Sequence, residues 1–106
     1  MFYILNSAVV TAPGLYRYQH LSCQEAANLL ARNPDFVSRV GYPATAQFIA
    51  TQFGIQVSLS RESSVMQPGD QALIVRLKYR LAQPEQKAEH QPQPDDFELG
   101  LLTRIE

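Results

Sequence analysis

The sequence predicts an α/β (α+β) fold of about five strands and two helices. Three observations predict it. Residues 72–81, ALIVRLKYRL, alternate strictly, with Leu73, Val75, Leu77, Tyr79 and Leu81 on one face and Ile74, Arg76, Lys78 and Arg80 on the other. Such alternation, rich in β-branched and aromatic residues, is the pattern of a half-buried strand. Two further stretches, opening at Ser22 and at Pro43, set apolar residues at helical spacing behind helix-start signals. The remaining apolar segments are short and bounded by Gly, Pro, Asn and Asp, as strands are. A chain of 106 residues forms one domain with a modest core.

Taken in order, residues 2–5 read as a first strand, interrupted by Asn6 and Ser7 and resumed over 8–11. Short polar side chains directly after a first strand can hold a ligand, and they can equally mark a bulge or strand end; on these residues alone the second reading is preferred. Pro13-Gly14 is a turn, and residues 15–20 alternate as a second strand. Ser22 and Glu25 have capping-box spacing, each able to satisfy a backbone N–H at the helix start. Ala26, Leu29 and Leu30 follow as the apolar stripe, and Asn33-Pro34 ends the helix. Phe36, Val37 and Val40 form a short apolar segment leading to Gly41. Pro43 suits the first turn of a second helix. Ala46, Phe48, Ile49 and Phe53 supply its buried face, and Gly54 its left-handed cap. The amino end of that helix, near Tyr42 and Thr45, has the polarity to bind an anion; a Tyr beside Gly and Pro is also a common packing residue. Residues 55–61 alternate as a third strand ending at Arg61, and residues 67–70 make a tight turn before the central strand. Residues 83–96 hold three prolines and no large apolar residue, the composition of a mobile loop or lid. Residues 97–105 close the chain as a last strand.

Composition narrows the function. Hydrophobic content of 45% and charged content of 18% are those of an ordinary soluble domain. A net charge of −1 excludes a binder of long nucleic acid held by bulk positive charge. An anionic ligand must be small and held by local cations. Arg76, Lys78 and Arg80 stand about 7 Å apart on one strand face, close to the phosphate spacing of a nucleic-acid strand; a solvated charged face is the plainer reading of the same residues. Cys23 is the only cysteine, and His20 and His90 are the only histidines, so neither a disulfide nor a metal cluster is expected, and no cofactor is implied. No basic leader precedes the first strand and no apolar run approaches ~18 residues. A cytoplasmic protein without membrane contact is expected.

The opening YILNSAVVTAPG, the segment FVSRVGYPATAQFIA, the strand QPGDQALIVRLKYRL and the closing FELGLLTRIE together resemble the viral-type ring nuclease family, which includes type III anti-CRISPR factors. The resemblance runs over nearly the whole chain. It implies a homodimer with a small mixed sheet flanked by helices and a ligand cleft at the two-fold axis, closed by a long loop. It implies binding of cyclic tetra-adenylate, the second messenger of type III CRISPR systems. It further implies metal-independent cleavage, in which a ribose 2′-hydroxyl attacks the neighbouring phosphodiester and leaves 2′,3′-cyclic phosphate ends. By the same resemblance the family's binding Asn falls on Asn6, and a Ser found three residues later in some members is Val9 here. The arginine after the third strand falls on Arg61, the polar position of the central strand on Arg76, and the strand-end arginine on Arg80. The family's general-acid His falls on Tyr42 and its catalytic Glu on Gln83.

Both principal catalytic side chains are thus replaced while the cationic framework is kept. An imidazole exchanges a proton near neutral pH. A phenol holds its proton far above neutrality and is a poor donor, and an amide takes up no proton. Three readings follow: a slow ring nuclease using Tyr42, or a loop residue such as His90, in place of the missing acid; a binder that sequesters or senses the ring; and a structural homodimer without the ligand. The third gives no reason to keep Asn6, Arg61, Arg76 and Arg80 together. Replacing a carboxylate by Gln83 lowers repulsion toward phosphate, which favours holding the ligand over cutting it. General acid–base catalysis supplies ~10²–10⁴-fold. The double variant Tyr42→His/Gln83→Glu is therefore expected to raise single-turnover cleavage of cyclic tetra-adenylate by at least about tenfold; no gain would place the divergence in the scaffold.

Overall fold

The computed structural model describes residues 1–7, 12–60, 65–78 and 96–106. The strands are β1 (Phe2–Leu5), β2 (Tyr16–His20), β3 (Val37–Arg39), β4 (Gln71–Leu77) and β5 (Phe97–Arg104), and the helices are α1 (Cys23–Arg32) and α2 (Pro43–Phe53). The strands form one mixed sheet in the order β2-β5-β4-β1-β3. β1 lies between β3 and β4 and is parallel to both. β5 is antiparallel to β4 and to β2, so β5 alone runs against the other four. A mixed five-stranded sheet with two helices is the predicted fold class.

The helix ends follow from local chemistry. At the start of α1 the Glu25 N–H donates to Ser22 Oγ at 3.1 Å and the Ser22 N–H donates to Glu25 Oε1 at 2.9 Å, the reciprocal capping box. Asn33 closes α1, its side-chain amide donating to the Leu29 carbonyl at 2.8 Å, and Pro34 cannot continue the helix. α2 starts with Pro43 in its first turn and ends at Gly54, whose φ of 67° is the left-handed conformation that glycine adopts without a Cβ penalty.

Both helices serve one side of the sheet. Ala26 and Leu30 of α1 and Phe48 and Ile49 of α2 are buried with Phe2, Ile4, Leu73, Val75, Phe97 and Leu99. Phe48 stacks on Phe97, ring centroids 4.2 Å apart and nearly parallel. The opposite side carries a second, smaller core of Tyr3, Met66, Ala72, Ile74 and Leu102.

That second core corrects the reading of the central strand as half-buried. Ala72, Leu73, Ile74 and Val75 are each fully buried. Alternation still sorts the side chains, but Ile74 on the charged face is covered, and only from Arg76 onward does that face open to solvent. Apolar neighbours in register, Leu5 on β1 and Leu102 beside Ala72 on β5, complete a dry patch there. Tyr79, Arg80 and Leu81 lie outside the described residues, as do the predicted strand continuation at 8–11 and the predicted loop up to residue 95. β4 and β5 remain tied at the start of that loop, where the Lys78 N–H donates to the Asp96 carbonyl at 2.8 Å.

A second correction concerns residues 55–61. Over the described part, residues 55–60, the predicted strand does not form: only Leu59 makes an isolated bridge, to Val40, and the Ser60 N–H donates to the Val40 carbonyl at 2.8 Å. Ile55 and Val57 alternate because they pack on the helix-side core, not because they join a ladder. The third strand in chain order is instead the short segment at Val37–Arg39.

Among the described residues, no helix is long and apolar enough to cross a membrane, and no group of three or more His, Cys, Asp or Glu could hold a metal ion. The covered position of Ile74 gives a direct test. Ile74→Ala is expected to cost about 2–5 kcal/mol, as for a fully buried aliphatic side chain, measured as a shift in the urea midpoint. A cost under about 0.5 kcal/mol would mean that this face is open.

Candidate functional site at the carboxyl end of the parallel strands

The parallel register places Leu5 beside both Ile74 and Arg39. The residues that follow each strand, Asn6-Ser7 after β1, Val40-Gly41-Tyr42 after β3 and Arg76 toward the end of β4, therefore emerge at the same end of the sheet. In open sheets with parallel strands, that end is where ligands bind. Asn6 is engaged there: its Oδ1 accepts the Gly41 N–H at 3.0 Å. This bond fixes the turn from β3 into α2. From the other side, Ser38 Oγ donates to the Ser58 carbonyl at 2.7 Å. Ser7 follows Asn6 and is half-buried.

The turn delivers the amino end of α2. Tyr42 is the N-cap residue, in extended conformation, and its carbonyl accepts the N–H groups of Thr45 and Ala46 at 3.1 Å. No side chain caps this end, so its partial positive charge is not met by a capping oxygen. Tyr42 itself is 47% exposed. Thr45, one turn in, is 1% exposed, and its Oγ1 has no hydrogen-bond partner among the described residues. A buried hydroxyl in that state is costly, and it lies in the first turn of the helix.

Asn6, Ser7, Tyr42 and Thr45 are thus gathered at one end of the fold. Arg76 is on the sheet face turned away from the helices. Arg61, Arg80 and Gln83 lie outside the described residues.

Arg76 belongs to a cluster that the sequence reading did not assemble. Its Nε and Nη2 donate to Glu98 Oε2 at 3.0 and 2.9 Å. Tyr18 Oη donates to the same oxygen at 3.2 Å. His20 Nδ1 stands 3.6 Å from the other oxygen, Oε1. Tyr18 and His20, alternate residues of β2, meet edge to face at 5.7 Å. The Tyr18 ring lies over Gly100, where an added Cβ would collide with the phenol; only glycine leaves room for it. The Arg76 guanidinium, above all, holds the Glu98 carboxyl below the usual range against the opposing effect of burial, with Tyr18 and His20 adding to it. Burial, and then the neighbouring Glu98 charge, pushes the Tyr18 phenol up. The signal for this cluster was present as alternation in YRYQH and FELG, but it needed the antiparallel register of β2, β5 and β4 to be read.

Two outcomes follow from this geometry. Asn6→Ala leaves the Gly41 N–H without its acceptor and is expected to destabilise the fold by about 1–3 kcal/mol, read from urea unfolding without ligand; no change would make Asn6 dispensable to the turn. Glu98, with a lowered folded-state pKa, adds stability that is present above the ordinary glutamate pKa and lost as pH falls through the folded value. The contribution should stay under about 1 kcal/mol for so exposed a pair, and the Glu98→Gln variant should show a flatter acid limb in thermal unfolding.

Comparison with known proteins places the chain. Residues 2–96 match the model of the STIV B116-like family. Uncharacterized protein 26 of Sulfolobus islandicus filamentous virus (isolate Iceland/Hveragerdi) is 36% identical over 85 residues, covering 76% of this chain and 71% of the relative. Uncharacterized protein ORF117 of Acidianus two-tailed virus is 25% identical and covers 100% of this chain and 95% of its own. Uncharacterized protein YddF of Bacillus subtilis (strain 168) is 26% identical, with 96% and 95% covered. The solved structure of B116 of Sulfolobus turreted icosahedral virus superposes with a TM-score of 0.72 at 15% identity, over 97% of this chain and 98% of that one, a likeness of fold. With the family model spanning nearly all of its length, the chain belongs to the STIV B116-like family.

Proposed function

We propose that this protein recognises cyclic tetra-adenylate as a cytoplasmic homodimer and cleaves it slowly, without a metal, to linear products with 2′,3′-cyclic phosphate ends. The reading rests on the resemblance to viral-type ring nucleases. The observation that carries it furthest is the uncapped amino end of α2, set beside Asn6 with Tyr42 exposed. A helix end in this state offers N–H groups and partial positive charge to a phosphate. The family's acid would stand at the same place, occupied here by Tyr42. In the cleavage step the ribose O2′ attacks phosphorus, the P–O5′ bond breaks, the O2′ proton goes to solvent and the departing O5′ takes up a proton. Alignment of the 2′-hydroxyl with its phosphate supplies most of the acceleration. Tyr42 can hydrogen-bond the leaving oxygen and donates to it poorly.

A second reading, a binder that holds the ring intact, is favoured by the phenol at position 42 together with Gln83 in place of a carboxylate. Single-turnover incubation with cyclic tetra-adenylate in EDTA, followed by native-gel shift and product chromatography, separates the two. Conversion to linear products supports the ring nuclease. A shifted complex with the ring intact supports the binder. Neither shift nor conversion would overturn both.

A further inference from the structure

The amino end of α2 has more unpaired donors than a helix start alone provides. Pro43 has no N–H, and the Thr45 and Ala46 N–H groups return to the Tyr42 carbonyl at 3.1 Å. The Ala44 N–H meets no acceptor among the described residues. Asn6 gives its Oδ1 to the Gly41 N–H at 3.0 Å, and its Nδ2 donates to none of the described residues. Thr45 is an independent sign of a ligand: it is 1% exposed, and its Oγ1 has no partner among the described residues. Thr45 shares a helix face with Phe48 and Ile49, three and four residues on, which pack on the sheet. Side chains on a helix lean toward its amino end. This hydroxyl is therefore aimed at the start of α2, on the side that faces the end of β1, where Asn6 stands. Donors of this kind account for a bound phosphate. They do not account for Tyr42. A packing tyrosine would be buried, yet half of this residue is open to solvent, and its extended backbone forms the N-cap. A base and its phosphate are joined through a single sugar, so an aromatic ring one residue before the phosphate donors is placed to meet the base of the same nucleotide. Bases stack on such rings, and a tyrosine loses little side-chain freedom in receiving them.

We propose that Tyr42 is a base-stacking residue: its ring carries one adenine of the bound cyclic tetra-adenylate while Asn6, Ala44 and Thr45 hold the adjoining phosphate. The inference rests on the reading of this site as one for cyclic tetra-adenylate, and it deepens that reading by giving position 42 a part in ligand specificity. The contribution comes from the face of the ring and not from the hydroxyl, so a phenyl group would serve as well. A purine presents a larger face than a pyrimidine, and the stack favours adenine over uracil accordingly. In a homodimer each copy of Tyr42 meets one base. The role is common to slow cleavage and to retention of the intact ring, because stacking holds the ligand whether or not its phosphodiester is cut. Affinity and base preference, rather than rate, are therefore what it controls.

The test uses the full chain in EDTA, as wild type, Tyr42→Phe and Tyr42→Leu. Kd is measured for cyclic tetra-adenylate and for cyclic tetra-uridylate at one salt concentration. Tyr42→Phe is expected to bind the adenylate ring within about threefold of wild type, and Tyr42→Leu to bind it at least about fivefold more weakly. Wild type is expected to prefer the adenylate ring, and Tyr42→Leu to lose most of that preference. Position 42 is exposed, so both variants are expected to fold, and thermal unfolding without ligand confirms it. Binding by Tyr42→Leu as tight as that of wild type overturns the stacking role and leaves recognition of the ring standing. An equal loss in Tyr42→Phe and Tyr42→Leu overturns it too, since the contact would then be the hydroxyl's, and so does an adenine preference that survives Tyr42→Leu. A wild type that binds no cyclic tetra-adenylate overturns the recognition itself and the stack with it.

Discussion

The fold depends on the burial of β4 from both sides. Leu73 and Val75 close the core under the helices, while Ala72 and Ile74 close the smaller core on the other face. β4 is also where the parallel half of the sheet meets the antiparallel half. Whatever holds β4 in register holds both halves together. The candidate site and the Arg76–Glu98 cluster both take their geometry from that register, since β1 places Asn6 and β5 places Glu98 relative to the same strand.

The two halves contribute differently to chemistry. The parallel half delivers backbone: the end of β1, the turn after β3 and the uncapped start of α2. The antiparallel half delivers side chains, because β2 and β5 run opposite ways and bring Tyr18, His20 and Glu98 to the charged end of β4. A nearly neutral chain can hold an anion only where such local arrangements concentrate donors. The pairing of Arg76 with Glu98 shows the restraint involved. Its charge is balanced by the Glu98 carboxylate, so the face of β4 carries no bare cation at this position.

What was legible in the sequence was what short-range chemistry decides. Ser22 with Glu25, Pro43 and Gly54 fix helix ends through contacts within a turn, and these were readable directly. Residues 55–60 are not the strand their pattern predicts because Ile55 and Val57 alternate for tertiary packing, and alternation alone cannot distinguish a ladder from a segment lying on a core. Ile74 looked exposed because its cover comes from distant residues, Tyr3 and Leu102. The Tyr18–His20–Glu98–Arg76 cluster joins positions up to eighty residues apart in sequence; the alternation of YRYQH and FELG is local, but the register that brings them together is not. Asn6 and Tyr42 were legible as a polar residue after the first strand and a residue at a helix start, their individual roles coming only from resemblance, and the structure adds that Asn6 builds the turn before α2 by accepting the Gly41 N–H.

The segment at 58–60 has a further consequence. β3 is three residues long and ends one side of the sheet, and an uncovered edge strand offers N–H and C=O groups to any passing chain. Here Ser58 accepts the Ser38 hydroxyl, Leu59 bridges to Val40 and Ser60 donates to the Val40 carbonyl. A stretch that fails to become a strand thus serves as a guard rail. It uses up hydrogen-bonding groups at the end of β3 and, among the described residues, leaves β2 as the sheet's more receptive margin for strand addition or aggregation.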